Sequence, residues 1–110
     1  MEKKNALAAL SALGHDQRLE IFRHLVKLGP KGAVAGDIAA ALSSLPNTLS
    51  ANLSVLSQAG LVESEREGRH IRYRADMNTM QSLLGFLMED CCGGDASLCV
   101  PAFDALKRCC

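Results

Sequence analysis

Cys91 and Cys92 are adjacent, Cys99 follows closely, and all five cysteines of the 110-residue chain lie at or beyond position 91. Vicinal thiols supply two sulfurs from one short segment, and Gly93-Gly94 lets the chain fold back so that Cys99 delivers a third. Thiolates are soft ligands and select soft ions. Trivalent arsenic or antimony, which takes three sulfurs in a pyramid, suits such a set; cadmium and lead are thiophilic alternatives. Tetrahedral zinc is less natural, because no histidine and no Cys-x-x-Cys stands nearby to complete the site. The expected metal ligands are Cys91, Cys92 and Cys99; Cys109 and Cys110 either cap the same site, form a second one or are non-essential tail residues, the last being the favoured reading.

A redox sensor is the competing use of the same thiols. Glu89 and Asp90 precede Cys91 at the end of a helix-like run, where the carboxylates and the helix macrodipole both disfavour thiolate. Reaction with peroxide should therefore be slow. An odd number of cysteines confined to one end makes a poor disulfide framework, and free thiols fit a reducing cytoplasm.

The rest of the chain must position this cluster. Lys4 to Leu13 places Leu7, Leu10 and Leu13 at helical steps, an apolar stripe with alanines between, and Gly14 ends it. His15-Asp16 offers an N-cap for a second helix, with Leu19, Phe22, Leu25 and Val26 in its apolar pattern and Gly29-Pro30 as its stop. Val34 to Leu42 reads as a short helix with Ile38 and Leu42 inward; Ser43-Ser44-Leu45 breaks it. Pro46 suits the first turn of the next helix, which carries Leu49, Leu53 and Leu56 inward and ends at Ala59-Gly60. Its outward residues are read as Asn47, Thr48, Ser50, Ala51, Asn52 and Ser54.

After Gly60 the period changes to two. Leu61 to Arg66 and His70 to Arg74 flank Glu67-Gly68-Arg69 as a β-hairpin, with Ile71 and Tyr73 on one face and His70, Arg72 and Arg74 on the other. Helix returns at about Asn78, where Met80, Leu83, Leu84, Leu87 and Met88 make a stripe broad enough to pack on a second copy. A further short helical stretch is expected near Pro101 to Lys107. Two short helices joined by a tight turn, followed by a hairpin, form a winged helix-turn-helix. The fold class is thus mainly α with a β-hairpin wing, homodimeric, with residues 1–90 forming the DNA-binding and dimerisation domain and 91–110 a cysteine-rich tail.

Formal net charge is zero and tryptophan is absent, so no global field advertises nucleic acid and the core rests on Leu, Ile, Val and Ala. DNA affinity must come from local residues. Asn47, Thr48, Ser50 and Asn52 are placed to reach base edges or phosphates, Asn52 by bidentate pairing with adenine; Arg66, Arg69 and Arg72 are placed to neutralise phosphate. Replacing Arg72 by Ala should then weaken binding to every sequence and flatten its salt dependence. No stretch is apolar enough over the roughly 18 to 20 residues that span a bilayer. Enzyme chemistry is not expected: there is no phosphate-cradling loop, and none of the three histidines adjoins a cysteine. A protein-interaction or metal-buffering module that never touches DNA is the remaining alternative.

From about residue 10 to 100 the chain resembles the ArsR/SmtB family of metalloid-responsive repressors. The resemblance is carried by Pro46-Asn47-Thr48-Leu49-Ser50-Ala51-Asn52-Leu53, then Leu56, Ala59-Gly60-Leu61-Val62 and Glu67-Gly68-Arg69, which match the recognition helix, the following turn and the wing tip. Leu83-Leu84-Gly85-Phe86-Leu87 through Glu89-Asp90-Cys91-Cys92-Gly93-Gly94 resembles the C-terminal end of an arsenite-sensing branch. The resemblance implies a cytoplasmic homodimer that binds an inverted-repeat operator and leaves it on binding trivalent arsenic or antimony, with no organic cofactor. Some family features are missing. Val34 and Gly36 occupy the positions of the family's Cys-x-Cys site, Asn78 to Asp90 contains none of the histidines of its zinc sites, and Asn52 stands where His is frequent.

Overall fold

The computed structural model describes residues 1–89. Their order is α1 (Lys3–Leu13), α2 (Asp16–Leu28), a 3₁₀ turn (Gly29–Lys31), β1 (Ala33–Val34), α3 (Ala35–Leu42), α4 (Pro46–Gln58), β2 (Val62–Glu67), β3 (His70–Ala75) and α5 (Met77–Leu87). The tail with Cys91, Cys92 and Cys99, and the helical stretch expected at Pro101 to Lys107, lie outside the described residues.

Helix α4 forms the centre of the packing. Leu49, Leu53 and Leu56 are fully buried on its inner face, beside Ile38 of α3, Leu25 of α2 and Leu61 beyond its end. Pro46 starts α4 at a position where a missing N–H costs nothing. Deleting a buried leucine of this kind to Ala costs about 2 to 5 kcal/mol.

Helix α1 reverses the expected orientation. Ala6, Ala9 and Ala12 face the core, whereas Leu7 and Leu10 are exposed. Small alanines let α1 lie close on α2, α4 and α5 and turn Leu7 and Leu10 outward, while Leu13 stays partly buried against the core. Arg18 fastens the α1–α2 corner by donating from Nε to the Ala12 carbonyl at 2.7 Å. In α2 the buried set is Ile21, Phe22 and Leu25; Leu19 and Val26, expected inward, are exposed. His15 occupies the N-cap without a side-chain hydrogen bond, and Asp16 enters the first turn instead, where its charge meets the helix N-terminus favourably.

The sheet has three antiparallel strands in the order β1-β3-β2. Val34, expected to open α3, belongs to β1, where it pairs with Arg72 while Ala33 pairs with Tyr73. Gly32 permits this approach: its φ is 57°, and a Cβ there would overlap the Tyr73 carbonyl oxygen. The wing pairs Val62 with Ala75 through to Glu67 with His70, so its turn is Gly68-Arg69, with Gly68 at φ 61°. Asp76 then caps α5, accepting from the Asn78 and Thr79 amides at 3.0 and 3.2 Å, which sets the start of the helix before Asn78.

Candidate nucleic-acid interface

Exposure along α4 divides the residues expected to face DNA. Asn47, Ser50, Ala51 and Ser54 are exposed and recur at helical spacing, one stripe opposite the buried leucines. Thr48 is half-buried, at the edge of a hollow between α2 and the α3–α4 turn that Gln17, Glu20 and Leu45 also line. Asn52 is buried, only 7 % exposed, and its side-chain amide donates to the Gln17 side-chain oxygen at 3.2 Å. Its expected outward position is thereby corrected. Residues 49, 52, 53 and 56 share one helical stripe, and that spacing was the signal that could have placed Asn52 inside.

The turn entering α4 holds a feature that sequence reading treated only as a break. Leu45 is the N-cap residue, with extended backbone at φ −68° and ψ 139° and no side-chain cap bond. Its side chain is 73 % exposed.

On the wing, the arginines do not all present free charge. Alternation puts Glu63, Glu65 and Glu67 of β2 on the same face as His70, Arg72 and Arg74 of β3. Arg72 donates from Nε to Glu67 at 2.8 Å and from Nη1 to the Lys31 carbonyl at 3.1 Å. Arg74 donates to Glu65 at 2.9 Å and lies 3.9 Å from Glu63. The hydrogen bond to Glu65, aided by the charges of Glu65, Glu63 and Glu67, raises the Arg74 pKa above its ordinary value against the opposing effect of burial, so that guanidinium stays charged. Arg72, expected to meet phosphate as a free cation, instead ties the wing to the loop before β1. Arg66 is exposed and reaches back to the Gly68 carbonyl at 3.3 Å, and Arg69 sits exposed in the turn. Of the four wing arginines, Arg66 and Arg69, at the tip, have no carboxylate partner among the described residues. The alternation of Glu63, Glu65 and Glu67 against Arg72 and Arg74 is the sequence signal for this pairing.

Among the described residues no group of His, Cys, Asp and Glu is arranged to hold a metal ion, and no helix is long and apolar enough to cross a membrane.

Comparison with known proteins fits this architecture. The family described as "Helix-turn-helix domain" matches residues 13–65. An ArsR-like transcriptional regulator from Rhodococcus sp. RHA1 superposes with a TM-score of 0.72 at 26% identity, over 94% of this chain and 92% of that one. The structure of NolR from Sinorhizobium fredii is 30% identical over 78% of this chain and 83% of its own, with a TM-score of 0.62. The chain belongs to the ArsR family. Another similar structure, the homodimeric winged helix-turn-helix DNA-binding domain of a possible ArsR-family regulator from Mycobacterium bovis, matches at 26% identity and a TM-score of 0.64, over 96% of this chain and 84% of that one. No curated protein matches the chain. As an ArsR-family transcriptional regulator it carries a DNA-binding helix-turn-helix in α3 and α4, and the β2–β3 hairpin is its wing.

Proposed function

We propose that this ArsR-family regulator is a homodimeric repressor whose hold on operator DNA is released when trivalent arsenic or antimony is captured by the thiolates of Cys91, Cys92 and Cys99. The observation that carries this reading is the vicinal pair with a third cysteine close by, a soft three-sulfur donor set in a chain with no cysteine before position 91. The set begins shortly after α5, whose C-cap is Met88, so capture of the ion would act on the end of that helix.

Dimerisation is supported by the outward apolar residues of two helices that pack on each other. Leu7 and Leu10 of α1 and Leu84 and Leu87 of α5 are exposed by 57, 40, 36 and 50 %. Pairing these faces with a second copy would remove them from water and bring two α4 helices to one side. Twofold symmetry then calls for an inverted-repeat operator with half-sites roughly one turn of DNA, about 34 Å, apart. In each half, Asn47, Thr48 and Ser50 would meet bases or phosphates, with Arg66 and Arg69 neutralising the backbone beside the wing.

Release needs only a modest bias. Allosteric couplings of about 1 to 3 kcal/mol weaken binding roughly 5- to 150-fold, and operator DNA must weaken ion capture by the same factor. The deciding experiment is a gel shift with the DNA upstream of the chain's own reading frame, with and without arsenite. A shifted band that disappears with arsenite is expected. A band equally strong in both lanes overturns the release mechanism, and a response to cadmium or lead alone reassigns the ion.

A further inference from the structure

We infer that the DNA-facing surface of α4 reads A·T pairs without charge, with Leu45 seated on a thymine methyl and Asn47 paired to an adenine. This rests on the operator-binding reading above and names what that surface recognises. Between Asp37 and Glu63 the sequence contains no charged residue, so α4, the turn before it and nearly all of α3 are neutral. The commonest base-specific contact, Arg or Lys to the O6 and N7 of guanine, cannot come from this helix. The exposed stripe offers Asn47, Ser50, Ser54 and Gln58; of these only the two amides match a base edge bidentately, that of adenine at N6 and N7, and Asn47 is the one at the start of the helix, where base edges are reached.

Leu45 supplies the second half of the argument. At 73 % it is the most exposed large hydrophobic side chain among the described residues. It belongs to the turn into α4, away from the leucines of α1 and α5 that a second copy would cover. Its backbone is held on both sides: the Ser44 amide donates to the Ala39 carbonyl, and the Leu45 carbonyl accepts from the Leu49 amide at 2.9 Å. Side chains at the start of a recognition helix reach the floor of the major groove, where the thymine C5 methyl is the apolar group on offer. A rigidly presented leucine beside an exposed Asn47 is therefore matched to a thymine next to an adenine, on the same or the opposite strand.

The test uses the full chain and a duplex selected by it from a random pool. Thymines in each half-site are replaced singly by deoxyuridine, which removes only the methyl; adenines and guanines are replaced by their 7-deaza forms, which remove only N7. Binding is read by fluorescence anisotropy. One uracil should cost wild type about 4-fold, the worth of one buried methyl group, and cost Leu45→Ser nothing. One 7-deazaadenine should cost wild type about 5-fold or more and cost Asn47→Ala nothing. Both side chains are exposed, so Asn47→Ala should keep the wild-type melting temperature, and Leu45→Ser, which puts a capping hydroxyl at the start of α4, should keep or raise it. Indifference to every uracil, or losses confined to 7-deazaguanine, would overturn this inference while leaving operator binding intact. Failure to select any duplex would overturn the operator-binding reading itself, and this one with it.

Discussion

The Asn52 side-chain amide donates to the side-chain oxygen of Gln17 across 3.2 Å, tying the recognition helix to α2 thirty-five positions away. A neutral hydrogen bond of this kind contributes about 0.5 to 1.5 kcal/mol net. Asn52 is buried and Gln17 exposed, so the two truncations should differ. Gln17→Ala lets water reach the amide and should lower unfolding free energy by no more than about 1 kcal/mol, whereas Asn52→Ala also loses packing and should cost about 1 to 2 kcal/mol. Urea unfolding of both singles and the double variant should give a coupling of roughly 0.5 to 1 kcal/mol. Should Asn52→Ala retain full stability yet lose discrimination of one base pair, Asn52 would be a base reader after all.

The wing separates two arginines that look alike in sequence. Arg72 is held by Glu67 and by the Lys31 carbonyl, while Arg69 stands in the turn. Each cation that neutralises a phosphate adds about 0.9 to the slope of log affinity against log salt. Arg69→Ala should therefore reduce that slope by about 1, and Arg72→Ala should leave it nearly unchanged while loosening the wing. Glu67→Gln is the sharper variant. It removes a carboxylate from the DNA-facing hairpin and frees Arg72, so affinity should rise and the slope should steepen. An Arg72→Ala slope reduced as much as that of Arg69→Ala would show that DNA displaces Glu67.

Much of this architecture is legible in the sequence, for physical reasons that differ element by element. The leucine spacing of α4, the Pro46 start and the period-two hairpin are local signals, and all three appear where the sequence places them. Helix α1 misled because leucine outranks alanine in hydrophobicity, yet close approach to three neighbours favours the smaller side chain. Strand β1 was missed because two residues carry no period, and its pairing depends on Gly32 meeting β3 forty residues later. Asn52 is polar, yet its helical position beside Leu49, Leu53 and Leu56 decides its burial. Leu45 is conspicuous only once its exposure is seen, since in sequence it is one more apolar residue at a break.

Gly32 should be intolerant of substitution. Its positive φ already strains an L-residue, and a Cβ would collide with backbone at Tyr73 rather than with a movable side chain. Gly32→Ala should cost at least about 2 kcal/mol. Gly68 has a similar φ of 61° but open space around it, so Gly68→Ala should cost only about 1 kcal/mol. Thermal melts of the two variants compare them directly, and equal losses would mean that the β1–β3 approach relaxes easily.

Paired charge on the outward leucines tests the proposed dimer. Leu10→Glu with Leu84→Glu places carboxylates on exposed positions of α1 and α5, so the fold of one subunit should survive. Sedimentation should change from dimer to monomer. Losing the linked second half-site should weaken operator binding about 100-fold or more. A variant that still sediments as a dimer would place the interface elsewhere.

The thiols can be sorted by the number each ligand demands. Cys91→Ser, Cys92→Ser and Cys99→Ser, made singly, should each bind operator as wild type does and lose release by inorganic arsenite, because a serine oxygen is a poor partner for a soft ion. Methylarsenite needs only two thiolates, so it should still release Cys99→Ser and fail to release Cys91→Ser or Cys92→Ser. Peroxide distinguishes a metalloid switch from a redox one. With Glu89 and Asp90 immediately before the pair, deprotonation is disfavoured and oxidation at neutral pH should be slow compared with arsenite release. Fast, thiol-dependent release by peroxide at low concentration would reverse that order and make oxidation the signal.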